Sequence, residues 1–146
     1  MKRIPCLHVV TDDDILERQG ILGVIKTVYE TGGRDVALHI RGPSTYGRKI
    51  HELARKIRPM ADSTGGRLFL NDRLDIAWTT GVDGVHLGQR SLPVRSVRRL
   101  VGHDLTIGAS VHNEHESAIA EKEGADYAFL GTLFRTPSHH GIEPGG

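Results

Sequence analysis

The sequence predicts an α/β protein built on parallel strands. Three observations lead there. Short apolar runs alternate with stretches of helical apolar spacing along the whole chain, and the pair recurs until six runs have been passed. Every run ends in polar residues, where parallel folds carry their working groups. The 146 residues, 38% hydrophobic with 18 glycines, suffice for one core and exclude wholesale disorder.

In chain order, Leu7 to Val10 reads as the first strand, and Ile15, Leu16, Leu22, Ile25 and Val28 as the apolar stripe of a helix over 15–29. Val36 to Ile40 is the second strand. A helix over 46–60 follows, with Ile50, Leu53, Ala54 and Ile57 on one face. Arg67 to Leu70 leads into a helix through Leu74, Ile76, Ala77 and Trp78. Gly84 to Leu87 precedes a helix over 92–101, in which Pro93 sits in the first turn where a missing N–H costs little. Thr106 to Ser110 is the fifth strand. Asn113 caps the next helix, with an acid at the third helical position, and that helix ends near Gly124. Tyr127 to Leu130 is the sixth strand. This pattern fits both an open doubly wound sheet and a (β/α)8 barrel; the length favours the open sheet, since a full barrel takes ~200 residues or more.

Composition narrows the partners. Nineteen Lys and Arg against eighteen Asp and Glu leave a net charge of +1, which provides no field to steer the chain onto nucleic acid. Arg95, Arg98 and Arg99, interleaved with Val94, Val97 and Val101, read as the solvated face of a helix. No apolar run reaches the ~18–20 residues of a membrane span, and no signal-peptide core precedes the first strand, so the expected location is cytoplasmic without a membrane partner. Cys6 has no partner for an internal disulfide and is expected to be a small buried residue.

The polar strand ends are Thr11-Asp12-Asp13, His39 with Arg41, Asn71-Asp72, His86 with Gln89, Ser110 with His112, and Gly131-Thr132 with Thr136 and Ser138. Taken singly, each has a plain structural explanation. Asp72 favours the start of the next helix, Arg41 is a surface charge, His86 is a core histidine, and His112 caps a helix. The pair His139-His140 is no metal site, because adjacent residues rarely ligate one ion and no cysteine accompanies them.

Together they say more. Leu70-Asn71-Asp72-Arg73-Leu74-Asp75, Gly84-Val85-His86-Leu87-Gly88-Gln89, Ile107-Gly108-Ala109-Ser110-Val111-His112, and Gly124-Ala125-Asp126-Tyr127 running on to Thr136-Pro137-Ser138 stand in an order and spacing that resembles the thiamine phosphate synthase and TenI family. The resemblance runs from Leu7 to Gly146. It implies a TIM (β/α)8 barrel of which about six βα units are present, as a single domain over 1–146 that is incomplete at its C-terminal side. In that family the seventh and eighth strands grip the substrate phosphate, a site expected beyond residue 146. Two unpaired strand edges predict self-association.

The family holds two chemistries. A TenI-type thiazole tautomerase moves protons on a thiazole phosphate and needs no cofactor. The resemblance then makes His112 the acid/base, suited by its ordinary pKa of ~6.5, and makes His39, Arg41, Asn71, Ser110, Thr136 and Ser138 substrate-binding. A thiamine phosphate synthase instead joins a pyrimidine diphosphate to a thiazole phosphate with Mg2+, and the resemblance makes Asp72 its metal ligand. Pro43 and His139 stand where the synthase pattern has lysines, and Ser91 where it has a second metal-binding Asp. Asp13 or Asp75 could supply the missing carboxylate. The tautomerase is the expected branch and the synthase the alternative; a truncated, non-catalytic fragment is the third reading.

Overall fold

The structure, a computed structural model, describes residues 3–131. The chain divides between Val85 and His86 into two compact units. The first holds β1 (Leu7–Val10), α1 (Asp13–Glu17), α2 (Ile21–Gly32), β2 (Val36–Ile40), α3 (Gly47–Thr64), β3 (Arg67–Asn71), α4 (Leu74–Thr80) and the start of β4 (Gly84–Leu87). The second holds the end of β4, α5 (Val94–Val101), β5 (Thr106–Val111), α6 (Glu114–Glu123) and β6 (Tyr127–Leu130).

Within each unit neighbouring strands follow chain order. The pairs β1 with β2, β2 with β3 and β5 with β6 are parallel, with Val10 opposite His39, Ile40 opposite Leu70 and Val111 opposite Leu130. Strand order without reversal, and a helical crossover between parallel neighbours, is the barrel-type α/β pattern. The open doubly wound sheet favoured by length alone is thereby excluded, because its strand order turns back at a switch point. All five residues of β2 are buried, as expected of a strand covered on both faces.

Helix α3 packs the expected stripe, Ile50, Leu53, Ala54 and Ile57, and extends it by Ala61. It runs four residues past the expected end and passes through Pro59. Pro59 is exposed, so the carbonyl deprived of its helical partner faces water. The helix expected over 15–29 is two helices. Asp12 caps the first through Ile15 N–H at 2.7 Å, and the backbone leaves helical angles at Arg18 and turns left-handed at Gly20, φ 81°. Apolar spacing carried across the break because Leu16 and Ile25 both face the core.

A Gly-x-Asp triplet precedes every second strand: Gly33-Arg34-Asp35 before β2, Gly81-Val82-Asp83 before β4 and Gly124-Ala125-Asp126 before β6. The last two act alike. Asp83 N–H donates to Leu68 carbonyl at 2.9 Å while Leu68 N–H donates to the Asp83 carboxylate at 2.9 Å. Asp126 N–H donates to Ile107 carbonyl at 2.7 Å, and Ile107 N–H to the Asp126 carboxylate at 2.7 Å. Arg58 and Arg67 complete the first clamp and Arg98 the second. Arg98 therefore departs from the solvated face read in the sequence: its side chain is 15% exposed and is turned onto Gly124 and Asp126, whereas Arg95 and Arg99 stay in solvent. Cys6 departs too. It is exposed, because it precedes β1 rather than entering it, and its thiol lies 3.9 Å from the Asp35 carbonyl. No helix among the described residues is long and apolar enough to cross a membrane.

Candidate active site

In the first unit the strand ends are tied before any ligand arrives. Thr11, buried just past β1, takes a hydrogen bond from Arg41 N–H at 2.9 Å, and its hydroxyl donates to the carbonyls of Arg41 (3.0 Å) and His39 (3.3 Å). Asp13 accepts from Ser44 N–H at 3.0 Å and from the Thr45 hydroxyl at 2.6 Å, which fixes the loop after β2. Arg41 stands between these anchors, half-buried, and forms no ion pair among the described residues.

At the end of β3 the backbone folds twice in three residues. Arg73 N–H donates to Asn71 carbonyl at 2.7 Å across Asp72, whose φ of 62° makes it the one left-handed non-glycine residue among those described. Leu74 N–H then donates to Asp72 carbonyl at 3.2 Å across Arg73, at φ −96° and ψ 71°. These are successive γ-turns, the first of the rarer, strained hand. Residues held in such sparsely populated conformations cluster at active sites and ligand clamps. Behind the turn, His39 Nδ1 lies 3.2 Å from Asn71 Oδ1, His39 Nε2 lies 2.8 Å from His8 Nδ1, and His8 Nε2 lies 3.0 Å from Pro5 carbonyl. His39 is fully buried, with the Phe69 ring edge-on at 5.1 Å. His39 thus meets the strand-end turn through Asn71. Burial pushes the His8 imidazole below its ordinary value against the raising effect of Pro5 carbonyl.

In the second unit, His86 is 2% exposed, with Nε2 2.9 Å from the Ser110 hydroxyl and Nδ1 3.2 Å from the Tyr127 hydroxyl. Burial holds the Tyr127 phenol well above its ordinary range, so it stays neutral. His112, 44% exposed at its side chain, sits with Nδ1 3.1 Å from Glu116, which also accepts from His112 backbone N–H and from Gln89. The His112 backbone N–H first, and then its side chain, hold the Glu116 carboxyl below the usual carboxylate range. A cavity of about 250 Å³ is lined here by Gln89, Ser91, Ser110, Val111 and Glu116, among others.

Each predicted residue can now be placed. His39, Arg41, Asn71 and Asp72 belong to the first cluster, and Ser110 and His112 to the second. Thr136 and Ser138, with His139, lie outside the described residues. The other carboxylates considered for the metal are engaged elsewhere: Asp13 holds Ser44 N–H and the Thr45 hydroxyl, and Asp75 is paired with Arg73 at 2.6 Å. Ser91 accepts from Gly88 N–H at 2.9 Å. Among the described residues no three His, Cys, Asp or Glu form a metal-holding group. A donor set of one carboxylate suits Mg2+, which keeps water and takes substrate phosphates, better than it suits a protein-caged ion. Three partners escaped sequence reasoning: His8, Tyr127 and the Glu116 contact to His112. A histidine inside the apolar run Leu7 to Val10 was the available signal for the first.

Comparison with known proteins adds four findings. A family profile described as thiamine monophosphate synthase matches residues 7–146. The thiamine-phosphate synthase of Clostridium tetani is 33% identical over 143 residues, covering 97% of this chain and 68% of the relative. That of Chlorobium phaeovibrioides is 38% identical over 138 residues, covering 92% of this chain and 61% of the relative. Among solved structures, the thiamine phosphate pyrophosphorylase of Pyrococcus furiosus superposes with a TM-score of 0.74 at 28% identity, covering 88% of this chain and 61% of that one. The chain thus spans about three fifths to two thirds of the length of the relatives it matches.

Proposed function

The chain belongs to the thiamine monophosphate synthase family, and from that premise we propose that it serves the synthase reaction: a pyrimidine carbon bearing diphosphate is transferred to the ring nitrogen of a thiazole phosphate. The bond from carbon to the diphosphate oxygen breaks as the bond from carbon to nitrogen forms, and diphosphate leaves. The observation that carries this reading is the strained Asn71-Asp72 turn, which sets a carboxylate at a strand end in the same unit as Arg41, a cation with no ion pair among the described residues. Arg41 meets the negative charge that gathers on the departing diphosphate. Asp72 would hold Mg2+, which, when bound, supplies further neutralisation of that charge. The relatives named thiamine-phosphate synthase support this branch over the tautomerase.

A single observation favours the tautomerase: His112 is held by Glu116 in the manner of an oriented acid/base. The two separate on one assay. With pyrimidine diphosphate, thiazole phosphate and Mg2+ supplied, diphosphate release is expected, abolished by EDTA and lowered by about 100-fold in Asp72→Asn. Tautomerisation of a thiazole carboxylate phosphate that survives EDTA and is lost in His112→Gln would overturn the synthase reading.

A further inference from the structure

The line Pro5 carbonyl, His8, His39, Asn71 contains three close contacts, at 3.0, 2.8 and 3.2 Å. Each needs one hydrogen. Pro5 carbonyl can only accept, so His8 must carry its hydrogen on Nε2. A neutral His8 then offers a bare Nδ1, and the hydrogen between the rings has to sit on His39 Nε2. Two neutral imidazoles have now supplied both their hydrogens, and the third contact still lacks one. Either a proton is added to the rings or the Asn71 amide supplies it. The first choice puts a cation either on His39, which is fully buried against Phe69, or on His8, which is half-buried against the His39 and Phe69 rings, and burial of charge is costly at both. The carboxamide of Asn71 fills the same space whichever way it is turned, so the hydrogen count decides its direction.

We propose that His8 and His39 are positioning residues: as a pair of neutral Nε2–H tautomers they hold Asn71 with its amide nitrogen toward His39 and its carbonyl oxygen turned away. The strained turn then offers a ligand an acceptor oxygen on Asn71 beside the Asp72 carboxylate in sequence, which selects ligands that bring a hydrogen-bond donor, such as an amino group on a heteroaromatic ring. The choice of ligand rests on the synthase reading above; the tautomers do not. The desolvated His8 imidazole agrees with a neutral pair. Register explains why these two rings meet. His8 lies opposite Ala37, so His39, two residues on, is its diagonal neighbour on the same face of the sheet.

The test needs no substrate. In the 146-residue chain labelled with 15N-histidine, long-range proton–nitrogen correlation at pH 7.5 is expected to show His8 and His39 both neutral and protonated on Nε2. His39 protonated on Nδ1, or either ring doubly protonated, overturns the proposal. His8→Phe keeps a ring in place and removes both nitrogens, and is expected to release His39 into a mixture of its two tautomers. His8→Gln, whose amide oxygen can accept from His39 Nε2, is expected to restore the single form. A pure Nε2–H His39 in His8→Phe would show that His8 does not set the tautomer and would equally overturn the proposal. The wild-type spectrum decides even if a variant does not fold. Failure of the diphosphate assay would leave these spectra unchanged, so the two readings fall separately.

Discussion

Asp72 is asked to do two opposed things. Its carboxylate is the proposed ligand group, and its backbone sits at φ 62°, which costs a non-glycine residue about 1–3 kcal/mol. Glycine adopts that angle freely but gives up roughly 0.5–1 kcal/mol in unfolded-state entropy. Asp72→Gly is therefore expected to leave urea stability unchanged or raised by up to about 2 kcal/mol while diphosphate release falls as far as in Asp72→Asn. A clear loss of stability would mean that the carboxylate itself holds the turn. His8 gives the pH prediction. Its folded-state pKa lies below the ordinary 6.5, so below that value the unfolded chain binds the extra proton first. Stability contributed by neutral His8 is complete above pH 6.5 and is lost as pH falls toward the folded-state value. Urea midpoints measured from pH 7.5 down to 5 should decline in the wild type and decline less in His8→Gln. The residue types at the strand ends were legible in the sequence, but their partners were not. His8 and His39 are 31 positions apart, and only the register of β1 on β2 makes them neighbours.

Among the elements, strands were the most legible, because β1, β2, β4 and β6 begin and end where apolar runs do. Helices were less so. The break between α1 and α2 turns on the left-handed Gly20, which hydrophobic spacing does not register, and the length of α3 turns on Pro59 facing water, which depends on the rotation of the finished helix. The Gly-x-Asp triplets were in plain view as a repeat, yet the meaning of the last two lies in the strand before each Asp rather than the one after. In β5 a single glycine decides the packing of the second cluster. A Cβ on Gly108 would stand 2.2 Å from the Tyr127 ring and 2.6 Å from His86 Nδ1. Gly108→Ala is expected to cost about 1–3 kcal/mol by overpacking and to separate His86 from Tyr127. Urea unfolding together with the His86 ring-nitrogen shifts would register both effects, and an unchanged pair would show that Tyr127 can give way.

At the scale of the molecule, the barrel-type class was legible from alternation and from the four sequence blocks together, while the division between Val85 and His86 had no sequence marker, since it falls inside β4. Leu7 and Val10 of β1 are 54% and 41% exposed, and an apolar cavity of about 290 Å³ lies beside Val10, lined also by Ile15, Ile21 and Val24 among others. Exposed apolar strand residues are templates for association, and the 146-residue polypeptide is expected to sediment above 16.0 kDa with a mass that rises with concentration. A monomer at high micromolar concentration would refute this. The aspartate clamps have a mechanical side. Asp83 grips β3 at Leu68 and Asp126 grips β5 at Ile107, whereas Asn71 and Ser110 lie toward the far ends of the same strands. Each strand is thus a lever with its fulcrum at the clamp. From Leu68 to Asp72 the arm is roughly 13 Å, so a tilt of about 5° at the fulcrum swings the tip by about 1 Å, a displacement that can cost a reaction on the order of 100-fold in rate. Asp83 and Asp126, at the opposite ends of these strands from the proposed ligand groups, thus bear on how closely those groups are aimed.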